Sequence, residues 1–340
     1  MVDISRRAVL GSAAATLLAS GLDLRAQDWE LPPWSATAAS NWYTHQPWLQ
    51  GCNFIPSSAA NQLEMWQAET FDARGIDREL GWAAASGMNT VRVFLHDLLW
   101  AQDAPGFRRR LDAFLAIASE HNMRVLLVLF DSCWDPFPHL GPQPDPGVGV
   151  HNSRWVQSPG AAALQDSSQH RRLRDYVEGL VSAFAADRRV LGWDVWNEPD
   201  NLNPLSYGRL EPSRKLDSVL ELLSQAFVWA RGARPVQPLT SGVWQGDWST
   251  DAALNSIQKV QLSQSDVLSF HCYGRPEEFE NRTRWLQRYG RPVLCTEYMA
   301  RPLGSTFSQI TPVAKRLRVA ALNWGSVSYT HLTLPTNREV

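Results

Sequence analysis

From Pro47 onward, short apolar runs rich in β-branched residues alternate with longer stretches of helical period. The runs are Trp48–Phe54, Thr90–Leu95, Arg124–Phe130, Val190–Trp196, Pro238–Ser241, Val267–His271, Pro292–Thr296 and Val319–Trp324. Apolar residues recurring every three to four positions predict helices over Ile76–Ser86, Phe107–His121, Gln169–Asp187, Ser213–Arg231, Pro276–Tyr289 and Phe307–Leu317. Short strands without strict polar alternation, separated by helices, predict a parallel sheet covered on its outer face.

Eight such runs between Trp48 and Trp324 fit a single α/β domain, a (β/α)8 TIM barrel, better than a doubly wound sheet. In that fold the loops after the strands build the active site. The loop after the third run, Asp131 to Ser168, carries Trp134, His139 and Trp155 and is long enough to predict a functional segment. The stretch Ser326–Val340 has no helical period and a central Pro335, so the barrel is expected to lack its final helix. Residues 326–340 read as a tail foreign to the fold. At the other end, Arg6-Arg7 precedes the small apolar run Gly11–Leu22, too short to span a bilayer. The expected division is a signal peptide of twin-arginine type over 1–26, a barrel over 27–325, and the tail. An exported protein, periplasmic or secreted, follows.

Composition narrows the partners. The chain of 340 residues is 44% hydrophobic with formal net charge −2, enough for a large core and without the basic excess of a nucleic-acid binder. No membrane association and a monomer are expected. Sixteen tryptophans are the unusual feature, because indoles serve both cores and flat polar ligands such as sugars. Cys52, Cys133, Cys272 and Cys295 follow no zinc or redox spacing and read as small buried residues, with a Cys272–Cys295 bridge left open. Neither a metal nor a cofactor is expected.

Two strings carry chemistry. Trp196-Asn197-Glu198-Pro199 ends the fourth run and Thr296-Glu297-Tyr298 ends the seventh. Carboxylates at these strand ends face each other across a barrel mouth. Glycosidic bond cleavage needs such a pair, one acid for the leaving oxygen and one anion for the developing oxocarbenium ion. On these motifs the chain resembles the retaining TIM-barrel glycoside hydrolases, and among them the cellulase/mannanase family (glycoside hydrolase family 5-like). The resemblance implies Glu198 as acid/base and Glu297 as nucleophile. It further implies Arg92 orienting the nucleophile, Asn197 on the sugar 2-hydroxyl, His271 in the cleft, Tyr273 on Glu297, and Trp324 as the platform under the sugar. Phe130-Asp131-Ser132-Cys133-Trp134 departs from the family, whose members often place a histidine there.

Other residues admit two readings. Trp134, Trp155, Trp244 and Trp248 lie in strand-end loops and either stack on sugars or pack the loops; Trp134 and Trp248 are taken as substrate-binding candidates. Trp82, Trp229 and Trp285 fall in helices and read as core or surface. Asp247 reads as a turn residue, and His96-Asp97 as either a cap or a cleft wall. Asn53 and Glu64 are weaker cleft candidates. The expected substrate is a β-linked polysaccharide or its oligosaccharides, with mannan, glucan and xylan in that order, cleaved by double displacement. A non-catalytic carbohydrate-binding barrel and an inactive truncated product are the alternatives.

Overall fold

The computed structural model describes residues 31–325 except 148, 149 and 151; the expected signal peptide and the 326–340 tail lie outside them. Eight strands form one parallel sheet: β1 (Gln50–Asn53), β2 (Thr90–Phe94), β3 (Arg124–Asp131), β4 (Val190–Asn197), β5 (Leu239–Thr240), β6 (Leu268–His271), β7 (Val293–Tyr298) and β8 (Ala320–Asn323). Their order is β5-β4-β3-β2-β1-β8-β7-β6, every ladder parallel. The ring closes between β5 and β6 through Val243, whose N–H donates to Ser269 at 3.1 Å and whose carbonyl accepts from His271 at 3.0 Å. The Thr240 and Ser269 hydroxyls, 2.7 Å apart, reinforce that seam. The fold is a single (β/α)8 barrel.

The helices are α1 (Ala36–Thr44), α2 (Gln62–Trp66), α3 (Ala73–Ala85), α4 (Asp97–Glu120), α5 (Ala161–Gln165), α6 (His170–Ala183), α7 (Lys215–Gly232), α8 (Ser256–Gln264), α9 (Pro276–Gln287) and α10 (Phe307–Arg316). Helix α4 starts well before the predicted Phe107. His96 caps its first turn, and the chain kinks at Asp103 (φ −155°), whose carboxylate accepts from Gly106 N–H and recaps the helix around Pro105. Four helices carry no pattern that predicted them: α1, α2, α5 and α8. Between β1 and β2 the backbones pass so closely that a Cβ on Gly51 would fall on the Thr90 carbonyl, so only glycine fits there.

Helix α1 docks beneath the N-terminal ends of the strands. Trp34, Ala39, Trp42 and Tyr43 pack on Leu49, Leu126, Leu191, Val267, Leu294, Ala320 and Leu322, sealing that end with apolar side chains. Trp34 N–H donates to Asp266 at 2.7 Å and the Tyr43 hydroxyl to the Arg318 carbonyl at 3.0 Å, which fixes the plug in register. All four cysteines are free and buried, so Cys272 and Cys295 form no bridge.

Candidate active site

At the C-terminal mouth the interior changes from apolar to charged. Arg92, on β2, is fully buried and reaches across the barrel. Its Nε donates to Asp194 Oδ2 at 3.0 Å, one Nη to Asn53 at 2.8 Å and Glu297 at 2.7 Å, and the other Nη to Asn197 at 2.7 Å. A guanidinium is suited to this because its donors form a rigid planar fork that never deprotonates. Asn53 passes the order on, its amide donating to the Thr296 and Asn323 carbonyls. Asn53 is therefore a strut between β1, β7 and β8 and a partner of Arg92.

Glu297 ends β7 with Oε1 on Arg92 and Oε2 accepting from the Tyr273 hydroxyl at 2.5 Å. Burial pushes its carboxyl upward, as does Glu198, while His271 and Arg92 oppose the rise. Glu198 follows β4 in the left-handed region, φ +44°, a turn that few non-glycine residues adopt and that aims its carboxyl at the barrel centre. Oε1 lies 2.8 Å from His271 Nδ1; Oε2 accepts from Asn201 at 2.8 Å and from the Cys133 thiol at 3.2 Å. Burial raises its pKa to about 7. Among the described residues, Glu297 contacts a guanidinium and Glu198 contacts none.

His271, at the end of β6, bridges the pair. Its Nε2 is 3.5 Å from Glu297 Oε1, and burial lowers its pKa to about 4, so the ring is neutral at physiological pH. One ligand-type atom from each of Glu198, His271 and Glu297 lies within 4.8 Å of the others. These are the residues that could hold a cation, yet the two carboxylates already accept from Arg92, Tyr273, Asn201 and Cys133, a donor-rich setting that suits carboxyl chemistry.

The predicted site residues do converge: Arg92, Asn197, Glu198, His271, Tyr273 and Glu297 form one hydrogen-bonded cluster. Asn197 Nδ2 donates to Asp131 at 2.9 Å. Trp324 follows β8, 9% exposed, its ring edge-on to Phe94 and Trp155 at 5.8 and 5.6 Å. Trp134 is half-buried on the β3 loop, its N–H on Asn203.

Trp248 is a correction. It is fully buried outside the barrel, against Phe270 and Trp285 and beneath the Arg282 guanidinium, so no ring face remains for a sugar. The packing alternative holds, because the topology brings β6 and α9 over that loop. Asp247 accepts from Ser249 N–H as a turn residue, and His96 is a buried cap. Trp244 donates to Asp200 at 2.6 Å.

Four contributors escaped the sequence reading of the site. Asp194 neutralises Arg92 from inside β4. Asp131 holds Asn197, and its second oxygen accepts from Trp155 Nε1 at 2.6 Å; burial raises its pKa to about 6. Cys133 and Asn201 hold Glu198. For Asp131 and Asp194 the available signal was a charged residue at the end of or inside an otherwise apolar run, which needs a buried partner; Cys133 and Asn201 carried no such signal. Two loops also brace the mouth. Asn61 and Gln62 donate to the Arg154 and Val156 carbonyls, and Gln67 exchanges two bonds with Gly141, zipping the loop after β1 to the long loop after β3. Buried Lys215 donates to Ser132, Asn201 and Glu211, tying the loop after β4 to that after β3. A cavity of about 510 Å³, lined by Tyr43, Trp48, Arg291, Lys315 and Arg318, sits at the opposite end of the strands and shares none of these groups.

The model of the family Cellulase (glycosyl hydrolase family 5) matches residues 58–324. The chain belongs to glycosyl hydrolase family 5. It is a glycosidase. Solved structures agree on the fold at low identity. A β-mannanase from the blue mussel Mytilus edulis superposes with TM-score 0.57 at 16% identity, over 84% of this chain and 89% of that one. A GH5_18 enzyme from Streptomyces cattleya, in complex with Manβ1-4GlcNAc, gives 0.56 at 16% identity over 82% and 70%. The exo-β-1,4-mannosidase of an Opitutaceae bacterium gives 0.53 at 19% identity; the chain covers 51% of its length, with 82% of this chain aligned. No curated protein matches the chain.

Proposed function

We propose that this family 5 glycosidase is a retaining β-glycoside hydrolase in which Glu297 is the nucleophile and Glu198 the acid/base. The asymmetry of the two carboxyls carries the reading. The anion that attacks the anomeric carbon must be ionised, and Glu297 is the one held by a guanidinium and a phenol. The acid must keep a proton near neutrality, and buried Glu198, with a pKa near 7, meets that need. One oxygen of each carboxyl lies within 4.8 Å of the other, which favours the about 5–5.5 Å group separation of retaining enzymes over the about 6.5–9.5 Å with which inverting ones admit a water.

In the first step Glu297 bonds to the anomeric carbon while Glu198 gives its proton to the departing oxygen. In the second, Glu198, now a base, takes a proton from water as that water displaces Glu297. Neutral His271 lies between the two, with Nδ1 2.8 Å from Glu198 Oε1 and Nε2 3.5 Å from Glu297 Oε1. The substrate read best is a β-linked glycan of the mannan type, ahead of glucan and xylan; the mannanase and mannosidase among the structural relatives support that order. Export by a twin-arginine leader, cut after Ala26, places the enzyme beside such a polymer.

Glu297→Ala is expected to abolish turnover on all substrates, by about a thousandfold or more. Glu198→Ala is expected to spare activated aryl glycosides, which need no acid to leave. Equal losses on both substrate types would overturn the assignment. Proton NMR of the first-formed anomer reads retention, and a mannan, glucan and xylan panel with chromatography of products reads the glycan.

A further inference from the structure

The departure after β3 puts a thiol where it touches the proposed acid/base. Cys133 lies two residues past the end of β3, 7% exposed, and both of its ends are fixed. Its N–H donates to Asp131 Oδ1 at 2.9 Å, while Sγ lies 3.2 Å from Glu198 Oε2. The following residue, Trp134, turns back at φ +72°, and Gln157 donates to its carbonyl at 2.8 Å. The side chain therefore has one setting. Asn197 and Asn201 point amide donors at the sulfur from 3.4 and 3.5 Å, so the lone pairs of Sγ are engaged and its proton is directed to Glu198.

We propose that Cys133 is a positioning residue for Glu198: its S–H and the Asn201 amide fill Oε2, which leaves Oε1 as the oxygen that carries the transferable proton. A thiol suits this place. It is a weak donor, so it orients the carboxyl without stabilising the anion as strongly as a hydroxyl or an ammonium would. Burial and the neighbouring Glu198, Asp131 and Glu297 carboxyls hold it far above the usual thiol range, so it stays a donor and adds no charge. The ionisable groups facing Glu198 are Asp200 on its own loop, Asp131 at the end of β3, Arg92 on β2, His271 at the end of β6 with Tyr273 after it, and Glu297 on β7. Removing an uncharged thiol leaves every one of them in place, so the hydrogen bond can be isolated.

This inference rests on Glu198 being the acid/base. The experiment is the pH dependence of kcat/KM on an oligosaccharide for wild type, Cys133→Ala and Cys133→Ser. Losing a donor to the carboxylate raises its pKa, so the alkaline limb of Cys133→Ala is expected to move up by about half a pH unit. Cys133→Ser, which puts a stronger donor in the same place, is expected to move the limb below wild type. Activity on an activated aryl glycoside is expected to fall less than activity on the oligosaccharide. If Cys133→Ala fails to fold, the limb of Cys133→Ser decides, since an unmoved limb there refutes a tuning role. A fall in activity with the limb unmoved, equal on both substrates, shows a packing role only and overturns the proposal. Glu198→Ala in the same assays separates the two claims: if it loses both substrates equally, the acid/base reading fails first; if it spares the aryl glycoside while the Cys133 limb stays fixed, only the present inference fails.

Discussion

The two ends of the barrel solve opposite problems with the same eight strands. At the N-terminal end, Leu49, Leu126, Leu191, Leu294 and Leu322 meet Trp42 of α1 and Trp34 just before it, and area removed from water holds the end shut. At the mouth, Arg92, Asp131, Asp194, Glu198, His271 and Glu297 are just as buried, and each lies against hydrogen-bonding partners. Burial there raises the carboxyl pKa values and lowers that of His271. The first end is stabilised by what it excludes. The second keeps an unfavourable charge arrangement because the sealed remainder of the barrel over-determines it. Lesions at the sealed end should therefore cost stability alone, and lesions at the mouth should cost activity as well.

The largest effect should come from the charge at the centre. Arg92→Met strips Asp194 and Glu297 of their shared cation and leaves buried carboxyls without it. Breaking one member of such a set costs about 3–5 kcal/mol, so denaturant unfolding is expected to show a loss of that order together with loss of turnover. A stable, inactive Arg92→Met protein would mean the network is looser than its distances say. Next comes the apolar end. Leu191→Ala opens a void beneath β4, with an expected loss of about 3 kcal/mol, while kcat and the pH profile stay at wild-type values. A changed pH profile in Leu191→Ala would show the two ends to be coupled.

The apolar end and the strands were written plainly in the chain. Each predicted run holds an observed strand within a residue or two at either end, because strands buried on both faces must be continuously apolar. Glu198 and Glu297 were legible for the same reason, since each ends or follows an apolar run, whereas Asn197, His271 and Tyr273 were implied only by the family resemblance those two motifs carry. Asp194 sits inside such a run, and its need for Arg92 becomes visible only when β2 and β4 are placed across from each other. Trp248 shows the converse limit. A loop tryptophan has the same local signature whether it faces a sugar or a helix, and the docking of α9 decides which. Helix α1 carries little amphipathic pattern because one small face, around Ala39, is buried against strands far along the chain.

The subtlest separation is one of sign. In an unfolded chain a glutamate titrates near 4.5, whereas Glu198 in the folded protein titrates near 7. The folded state thus binds more protons than the unfolded state between these values, and stability falls as pH rises through that window. His271 works the other way, staying neutral down to about 4 while an unfolded histidine gains its proton near 6.5, so its share of stability grows from pH 4 to 6.5. Glu198→Gln removes the first contribution and keeps the histidine. At pH 8 the variant should be more stable than wild type by about 1–3 kcal/mol, seen as a Tm several degrees higher. At pH 4.5, where Glu198 is protonated in the folded protein, the two Tm values should converge. A gain independent of pH would assign the effect to packing, and a loss at pH 8 would mean that the donors on Glu198 outweigh its burial.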